Sequence, residues 1–383
     1  KQPYFSIRVM ARLVLAIAIG FLFHSCGDKK QAGEKSPCEN SITDGGNSSA
    51  PLLRYNADQL DNTTGLSNSS VNCIFRDSEN LMWIGTWDGL NRYDGSTFRI
   101  FRPGPDSRNS LSNQVVLKVG EDSVGNIWVL TMHGINKYSK GTDTFTNFYF
   151  SKAGTPPASE FEFNMAINAA GEVFCAVKGW GLGYFDGTGF RKLTSVAIAG
   201  VKIRKMEFSG PGTLLLLTED NELEKLTLSK SGDVWSVSDK RVLFKGIKSF
   251  ETIKDAAVCL LTDAGTASLY NIATGGSIKL AGHAEKITGT ARQTIILSGR
   301  HGHLFYDSNG KASSPSWAGH FAGHNISTVC EGSEGIIWGG TDGDGMLKIY
   351  PLKKTFNLVS KSQLPAMGGG IVRAFLNDGG RLW

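Results

Sequence analysis

The residues of this chain able to do chemistry are few and scattered. His301-Gly302-His303 sets two imidazoles at strand spacing, with His320 and His324 following, which raises a metal site. No carboxylate or cysteine completes a ligand spacing, so these read as solvated turn histidines, and no metal or other cofactor is expected. Asp342-Gly343-Asp344-Gly345 offers carboxylates for Ca²⁺ but lacks the further ligands of a calcium loop, and it reads as a turn. Cys26, Cys38, Cys73, Cys175, Cys259 and Cys330 are irregularly spaced with no CxxC, which argues against a disulfide framework or a zinc site. The sequence contains no P-loop, no G-x-S-x-G and no HExxH.

Composition narrows the classes further. Forty Lys+Arg against 35 Asp+Glu give a net charge of +5, and setting aside Lys1, Arg8 and Arg12 at the N-terminus leaves +2. That is no nucleic-acid footprint, so no nucleic acid is expected as a partner of this region. Residues 1–26 place Arg8 and Arg12 before the apolar run Leu13 to Phe23 and then His24-Ser25-Cys26, the layout of a secretory signal and too short for a membrane span. A small residue before Cys26 makes that cysteine the expected lipidation point of a lipoprotein. Plain signal cleavage and a retained signal anchor are the other readings. Residues 27–51 are polar and Gly/Ser-rich, a flexible tether.

What positions everything else is an internal repeat. Leu66-Ser67-Asn68, Trp83, Thr86 and Gly89-Leu90-Asn91-Arg92-Tyr93 recur 45 residues later as Leu111-Ser112-Asn113, Trp128, Thr131 and Gly134-Ile135-Asn136-Lys137-Tyr138. Inside each copy an apolar, apolar, Asp, Gly-like, Trp series steps by three: Val71, Ile74, Asp77, Asn80, Trp83, then Val116, Val119, Asp122, Gly125, Trp128. Tracing that series downstream gives anchors at 83, 128, 174, 215, 259, 295, 338 and 383, seven complete units and the beginning of an eighth. Each unit reads as four short antiparallel strands, and 36 to 46 residues per unit describe the blade of a ring.

The fold class expected is therefore all-β: a seven-bladed β-propeller of four-stranded blades over residues 52–360, with 361–383 as the first strands of a second, truncated propeller. The Trp is expected to pack between blades, the Gly-like residue to adopt φ > 0, and the Asp to bind turn amides. Which strand closes the ring stays open, because Leu53-Arg54-Tyr55 aligns with Phe98-Arg99-Ile100 and is able to supply an outer strand to a blade formed elsewhere.

The strings at 66–98, 111–145 and 326–350 resemble the two-component regulator propeller repeat, strongly in these three units, moderately at 162–190 and weakly between 201 and 306. The resemblance implies the extracytoplasmic ligand-sensing propeller of a membrane-bound hybrid histidine kinase, one that detects nutrients or glycan fragments and acts as a dimer. The kinase itself is not in this sequence, so this piece is expected to have no enzymatic activity of its own. It implies a small-molecule or oligosaccharide ligand, a homodimer, and membrane attachment through the N-terminal lipid, a transmembrane helix elsewhere, or both. A streptogramin-lyase-like propeller enzyme and a surface lipoprotein scaffold are the competing classes.

The ligand-binding expectation falls on the loop between the second and third strands, which varies where the strands hold their pattern. Its candidate residues are Trp87, Asp88, His133, Trp180, Arg300 and Asp342, aromatic, ionic and imidazole groups suited to sugar faces and hydroxyls.

Overall fold

In the computed structural model the described residues are 54–105, 110–150, 162–193, 202–254, 257–290, 294–352, 377–378 and 381–382. Cys26, the signal segment 1–26 and the tether 27–51 lie outside them.

After a first strand β1 (Tyr55–Leu60), blade one is β2 (Val71–Arg76), β3 (Met82–Thr86), β4 (Gly89–Tyr93) and β5 (Phe98–Phe101). Blade two is β6 (Val116–Glu121), β7 (Ile127–Thr131), β8 (Gly134–Ser139) and β9 (Thr144–Phe148). Blade three is β10 (Phe163–Ile167), β11 (Val173–Val177), β12 (Gly181–Phe185) and β13 (Phe190–Lys192). Blade four is β14 (Ile203–Phe208), β15 (Thr213–Thr218), β16 (Leu223–Ser231) and β17 (Val234–Phe244). Blade five is β18 (Ile247–Lys254), β19 (Ala257–Thr262), β20 (Thr266–Asn271) and β21 (Ser277–His283). Blade six is β22 (Lys286–Gly289), β23 (Ile295–Gly299), β24 (Gly302–Tyr306) and β25 (Ala312–Ser313). Blade seven has β26 (Ile326–Glu331), β27 (Ile337–Thr341) and β28 (Met346–Pro351). Its fourth strand is β1, paired antiparallel from Tyr55↔Pro351 to Leu60↔Met346. The ring is thus a seven-bladed propeller closed by its own N-terminal strand, which answers the question the alignment of Leu53-Arg54-Tyr55 left open.

All seven anchors fall in second strands, three residues before the residue that pairs with the start of the first strand, as Thr86 does with Val71 and Thr341 with Ile326. Trp83 and Trp128 are 0% exposed. Each packs forward into the next blade, Trp83 against Val116, Val119 and Tyr138, and Trp128 against Phe163, Met165 and Cys175. Trp338 does the same across the closure, against Val71, Met82 and Tyr93. Seven apolar clusters among the described residues correspond to the seven interfaces between blades, so the core is a ring of interfaces around an axis.

The repeated polar residues have local causes. Asp77 Oδ1 accepts from the amides of Glu79 and Leu81 while its Oδ2 accepts from the Trp83 indole at 2.8 Å. Asp122 repeats this with Val124, Asn126 and Trp128. The turn residue after each has left-handed backbone, Asn80 at φ 67° and Gly125 at φ 86°. Where the third unit has Phe174 in place of Trp, Asn168 replaces the Asp, and its side-chain amide donates to Glu172 instead. Leu-Ser-Asn recurs because Ser67 hydrogen-bonds both Thr86 and Asn91, tying the strand entry to the second and third strands, as Ser112 does with Thr131 and Asn136.

The cysteines seen are thiols within strands: Cys73, Cys175, Cys259 and Cys330. Burial pushes the Cys73 and Cys259 thiols up to about 12, so neither is a nucleophile at neutral pH. Of the second ring expected from 361 onward, the described part is a short pairing of β29 (Asn377–Asp378) with β30 (Arg381–Leu382). The remaining residues of 361–383 lie outside the described residues.

Candidate functional site

Seven first strands, β2, β6, β10, β14, β18, β22 and β26, stand side by side around the axis. Five of them shift register after the first residue, placing a bulge at Asn72, Leu117, Arg204, Lys248 and Ser327. A bulge re-aims the side chains beside it, and here polar side chains are used to bridge blades. Asn72 donates to the Val116 carbonyl at 2.9 Å, Asn164 to that of Ile203, Arg204 to that of Lys248 and Lys286 to that of Ile326.

The axis is hollow. A cavity of about 640 Å³ opens among the bulged ends of these strands, lined by Lys118, Lys202, Arg204, Lys205, Glu207 and Glu251 together with Thr288 and Ser327. A second cavity, of about 360 Å³, reaches Glu121 and Asn168 near the turns between first and second strands. Lys118, Val119 and Glu207 line both and stand between the two cavities.

This divider is a charge cluster. Lys205 pairs with Glu251 and, at 3.2 Å, with Glu207, and its Nζ also donates to the Phe250 carbonyl at 2.7 Å. Glu207 accepts from both the amide and the hydroxyl of Thr252. Lys118 reaches across blade three to donate to the Met206 carbonyl at 3.2 Å. Burial lowers the Lys118 ammonium below the ordinary lysine value despite Glu207 and Glu251 nearby. Burial acts the same way on Lys205, but its two carboxylates outweigh it and raise that ammonium. Burial favours a neutral Glu207, and Lys205, Lys118 and Thr252 override it to hold the carboxyl low. Glu251 sits above the usual carboxylate range, chiefly through burial and then through the neighbouring Glu207, which together outweigh Lys205. The side chains of Lys205, Glu207 and Glu251 are about three-quarters buried.

The loops between second and third strands lie beside the entries to the first strands, where their leading amides extend the ladder: Trp87 donates to Ser70, Met132 to Val115, Lys178 to Glu162 and Asp342 to Asn325. Trp87 is 46% exposed. Asp88 pairs with Arg102 at 2.9 Å. His133 lies against Tyr149 and Phe163, and Trp180 against Phe150 with Lys192 over its ring. Arg300 is exposed and pairs with Glu285 at 3.0 Å. Asp342 bridges to Ser70, whose carbonyl also receives the Trp87 amide, so the structure brings Trp87 and Asp342 to one spot across the ring closure. His133 and Trp180 are linked through the contact between Phe163 and Phe150, and none of the six candidates lines the axial cavity.

The histidines have defined partners. His303 Nδ1 meets Ser298 Oγ at 2.9 Å while its Nε2 meets the carbonyls of Phe321 and His324. His320 meets the Tyr55 carbonyl on β1, and His324 pairs with Asp344. His301 lies in the turn before β24, so it does not share a strand face with His303. Among the described residues no group of three or more His, Cys, Asp or Glu is placed to hold a metal ion.

The axial cluster was not picked out from sequence. Lys118, Lys205, Glu207 and Glu251 come from three blades, and their one local signal is a charge inside an otherwise apolar-stepping first strand, as in Val116-Leu117-Lys118-Val119.

Residues 65–88 match the two component regulator propeller family. The chain therefore carries a two-component regulator propeller repeat. A 46-residue stretch is 50% identical to Histidine kinase P4 of Formosa agariphila, covering 12% of this chain and 3% of that kinase. The fold resembles the extracellular domain of a hybrid two component system of B. thetaiotaomicron, with a TM-score of 0.60 at 20% identity over 87% of this chain and 46% of that one. A second such domain from that organism gives 0.60 at 17% identity, over 77% and 42%. PorZ of Porphyromonas gingivalis, a surface component of its type-IX secretion system, gives 0.54 at 12% identity, over 79% and 40%. The chain thus spans less than half of each of these structures. Among the described residues no helix is long and apolar enough to cross a membrane.

Proposed function

We propose that this propeller is the extracytoplasmic ligand-sensing region of a membrane-bound hybrid two-component histidine kinase, and that its ligand is a glycan fragment or similar nutrient. The observation that carries this reading is the repeat itself: the part matching the regulator propeller family is accompanied by a stretch half identical to a histidine kinase. Lipid attachment at Cys26 and dimerisation belong to the same proposal. Signalling then follows from differential binding. A ligand that prefers one arrangement of the dimer shifts its population, and only that difference in affinity changes output.

Trp87, Asp88, His133, Trp180, Arg300 and Asp342 are proposed to contribute to the reading surface. Trp87 is the sharpest probe, since its ring is nearly half exposed and it belongs to none of the apolar clusters between blades. Titration of the chain with a panel of oligosaccharides, followed by tryptophan fluorescence and calorimetry, is expected to show saturable binding that Trp87→Ala weakens by about tenfold, the 1.4 kcal/mol of a modest aromatic contact. Binding unchanged by Trp87→Ala removes this face from the proposal, and a panel with no binder removes the sensing reading.

A further inference from the structure

We propose that the wide end of the axial channel is an anion site, and that the ligand read by this propeller is an acidic saccharide whose uronate carboxylate enters there. The inference rests on the sensing reading above and deepens it by naming the ligand class. The first ground is charge. Lys118, Lys202, Arg204 and Lys205 face the cavity against Glu207 and Glu251. Both carboxylates are engaged by Lys205. That leaves Lys118 with one hydrogen bond, to a carbonyl, for its three donors, and Lys202 with no carboxylate in ion-pair range among the described residues.

The second ground is independent of charge. Thr288 and Ser327 line the same cavity, and their hydroxyl oxygens, themselves buried, have no hydrogen-bond partner among the described residues; Thr288 is only 6% exposed. Buried hydroxyls left unpaired are costly, and a side-chain rotation that turns either one into the cavity gives it a partner on a polar ligand. Ile74, Leu130 and Phe163 contribute an apolar surface to the cavity. Oxyanion-seeking ammonium groups, unpaired hydroxyls and an apolar side match a sugar ring that carries hydroxyls, a C–H face and one carboxylate. The volume, about 640 Å³, suits a small ligand. The lowered Lys118 ammonium agrees with this, since a carboxylate beside it offsets the burial that disfavours its charged form.

The test is calorimetry on the full chain with trigalacturonate, neutral galactotriose and sodium sulfate, at low and high salt. Trigalacturonate is expected to bind at least about tenfold tighter than the neutral trisaccharide, and to weaken as salt is raised. Lys118→Met, which keeps the packing, and Lys202→Glu, at the rim, are each expected to weaken it by about tenfold or more, one charge-assisted hydrogen bond. Melting curves of both variants accompany the titrations, and Lys202→Glu decides the matter if Lys118→Met does not fold. Equal binding of galacturonate and galactose oligomers, or wild-type affinity in a folded Lys202→Glu, overturns the anion site. Sulfate binding as tightly as trigalacturonate overturns the saccharide assignment. Binding of galactotriose alone, sensitive to Trp87→Ala, sinks the channel inference and leaves the sensing reading standing, whereas no saccharide binding of either kind sinks the sensing reading.

Discussion

A tryptophan has one polar atom, and Trp83 and Trp128 use it alike: the indole N–H donates at 2.8 Å to the carboxylate that also gathers the amides of the preceding turn. One side chain thus ties a turn to an interface between blades. Removing the ring at either position leaves a cavity in a fully buried site, and Trp83→Ala and Trp128→Ala are each expected to cost about 3–5 kcal/mol in denaturant unfolding. Trp87→Ala, at an exposed position four residues away, is expected to change stability by less than about 0.5 kcal/mol. The carboxylate adds a pH signature. Burial raises the Asp77 pKa, but the Trp83 indole, Lys140 and the Leu81 amide outweigh it and hold it below its ordinary value. A carboxyl depressed in the folded state contributes stability that is present above its unfolded value, about 3.9, and is lost as pH falls through the folded one. Asp77→Asn is therefore expected to lower stability at neutral pH and to flatten its decline below about pH 4, measured as urea midpoints across an acid series. The Ser-Thr-Asn sets make a different point: three polar residues recurring at fixed spacing were visible in sequence, yet their role is to hold a strand entry.

At the scale of the element, the informative strand is β1. It lies at the outer edge of blade seven, and the Leu352 amide donates to the Arg54 carbonyl at 2.7 Å, which sets the phase of the ladder. In an antiparallel pair bonded and non-bonded positions alternate, so Asn56 and Asp58 turn their amides to β28, while Tyr55, Ala57 and Gln59 turn theirs to solvent. Pro351 sits opposite Tyr55, where no amide is asked of it across this pair. Proline is tolerated on an edge only where the missing N–H points outward. Asp58→Pro is thus expected to lower stability by about 3 kcal/mol or more, and Ala57→Pro to cost far less, read from thermal and urea unfolding of the two variants. Such a phase is invisible in sequence. The alignment of Leu53-Arg54-Tyr55 with an outer strand showed that a strand existed there, and only the closed ring shows which neighbour it joins.

Over the whole molecule, what could be read from the sequence was what repeats, and what could not was what the ring assembles. The Asp-to-Trp spacing is local, and it located a second strand in every blade, even where Leu215, Cys259 or Ile295 stands in place of the aromatic ring. Blades four to six keep their interfaces by other means. Trp235, in the outer strand of blade four, packs against Phe174 of blade three and supplies an indole that the third unit lacks. The charge cluster of Lys118, Lys205, Glu207 and Glu251 had no such local pattern, because its members share a neighbourhood only once blades two, four and five face a common axis. The loop residues were visible as variation against a constant frame, but their grouping was not: the structure unites Trp87 and Asp342 at the closure and links His133 to Trp180 through Phe163 and Phe150.

That closure also constrains the order of the molecule's making. Tyr55 is paired with Pro351, so β1, the earliest strand of the ring, waits for β28, its latest. During vectorial emergence from a ribosome or a translocation pore, β1 has no partner until six blades have formed ahead of it. Contacts of such sequence separation slow folding, and an unpaired strand edge is open to wrong partners meanwhile. Each of the first six blades is a hairpin meander able to form early, whereas the ring as a ring can come into being only in one later event, when β28 arrives to meet β1.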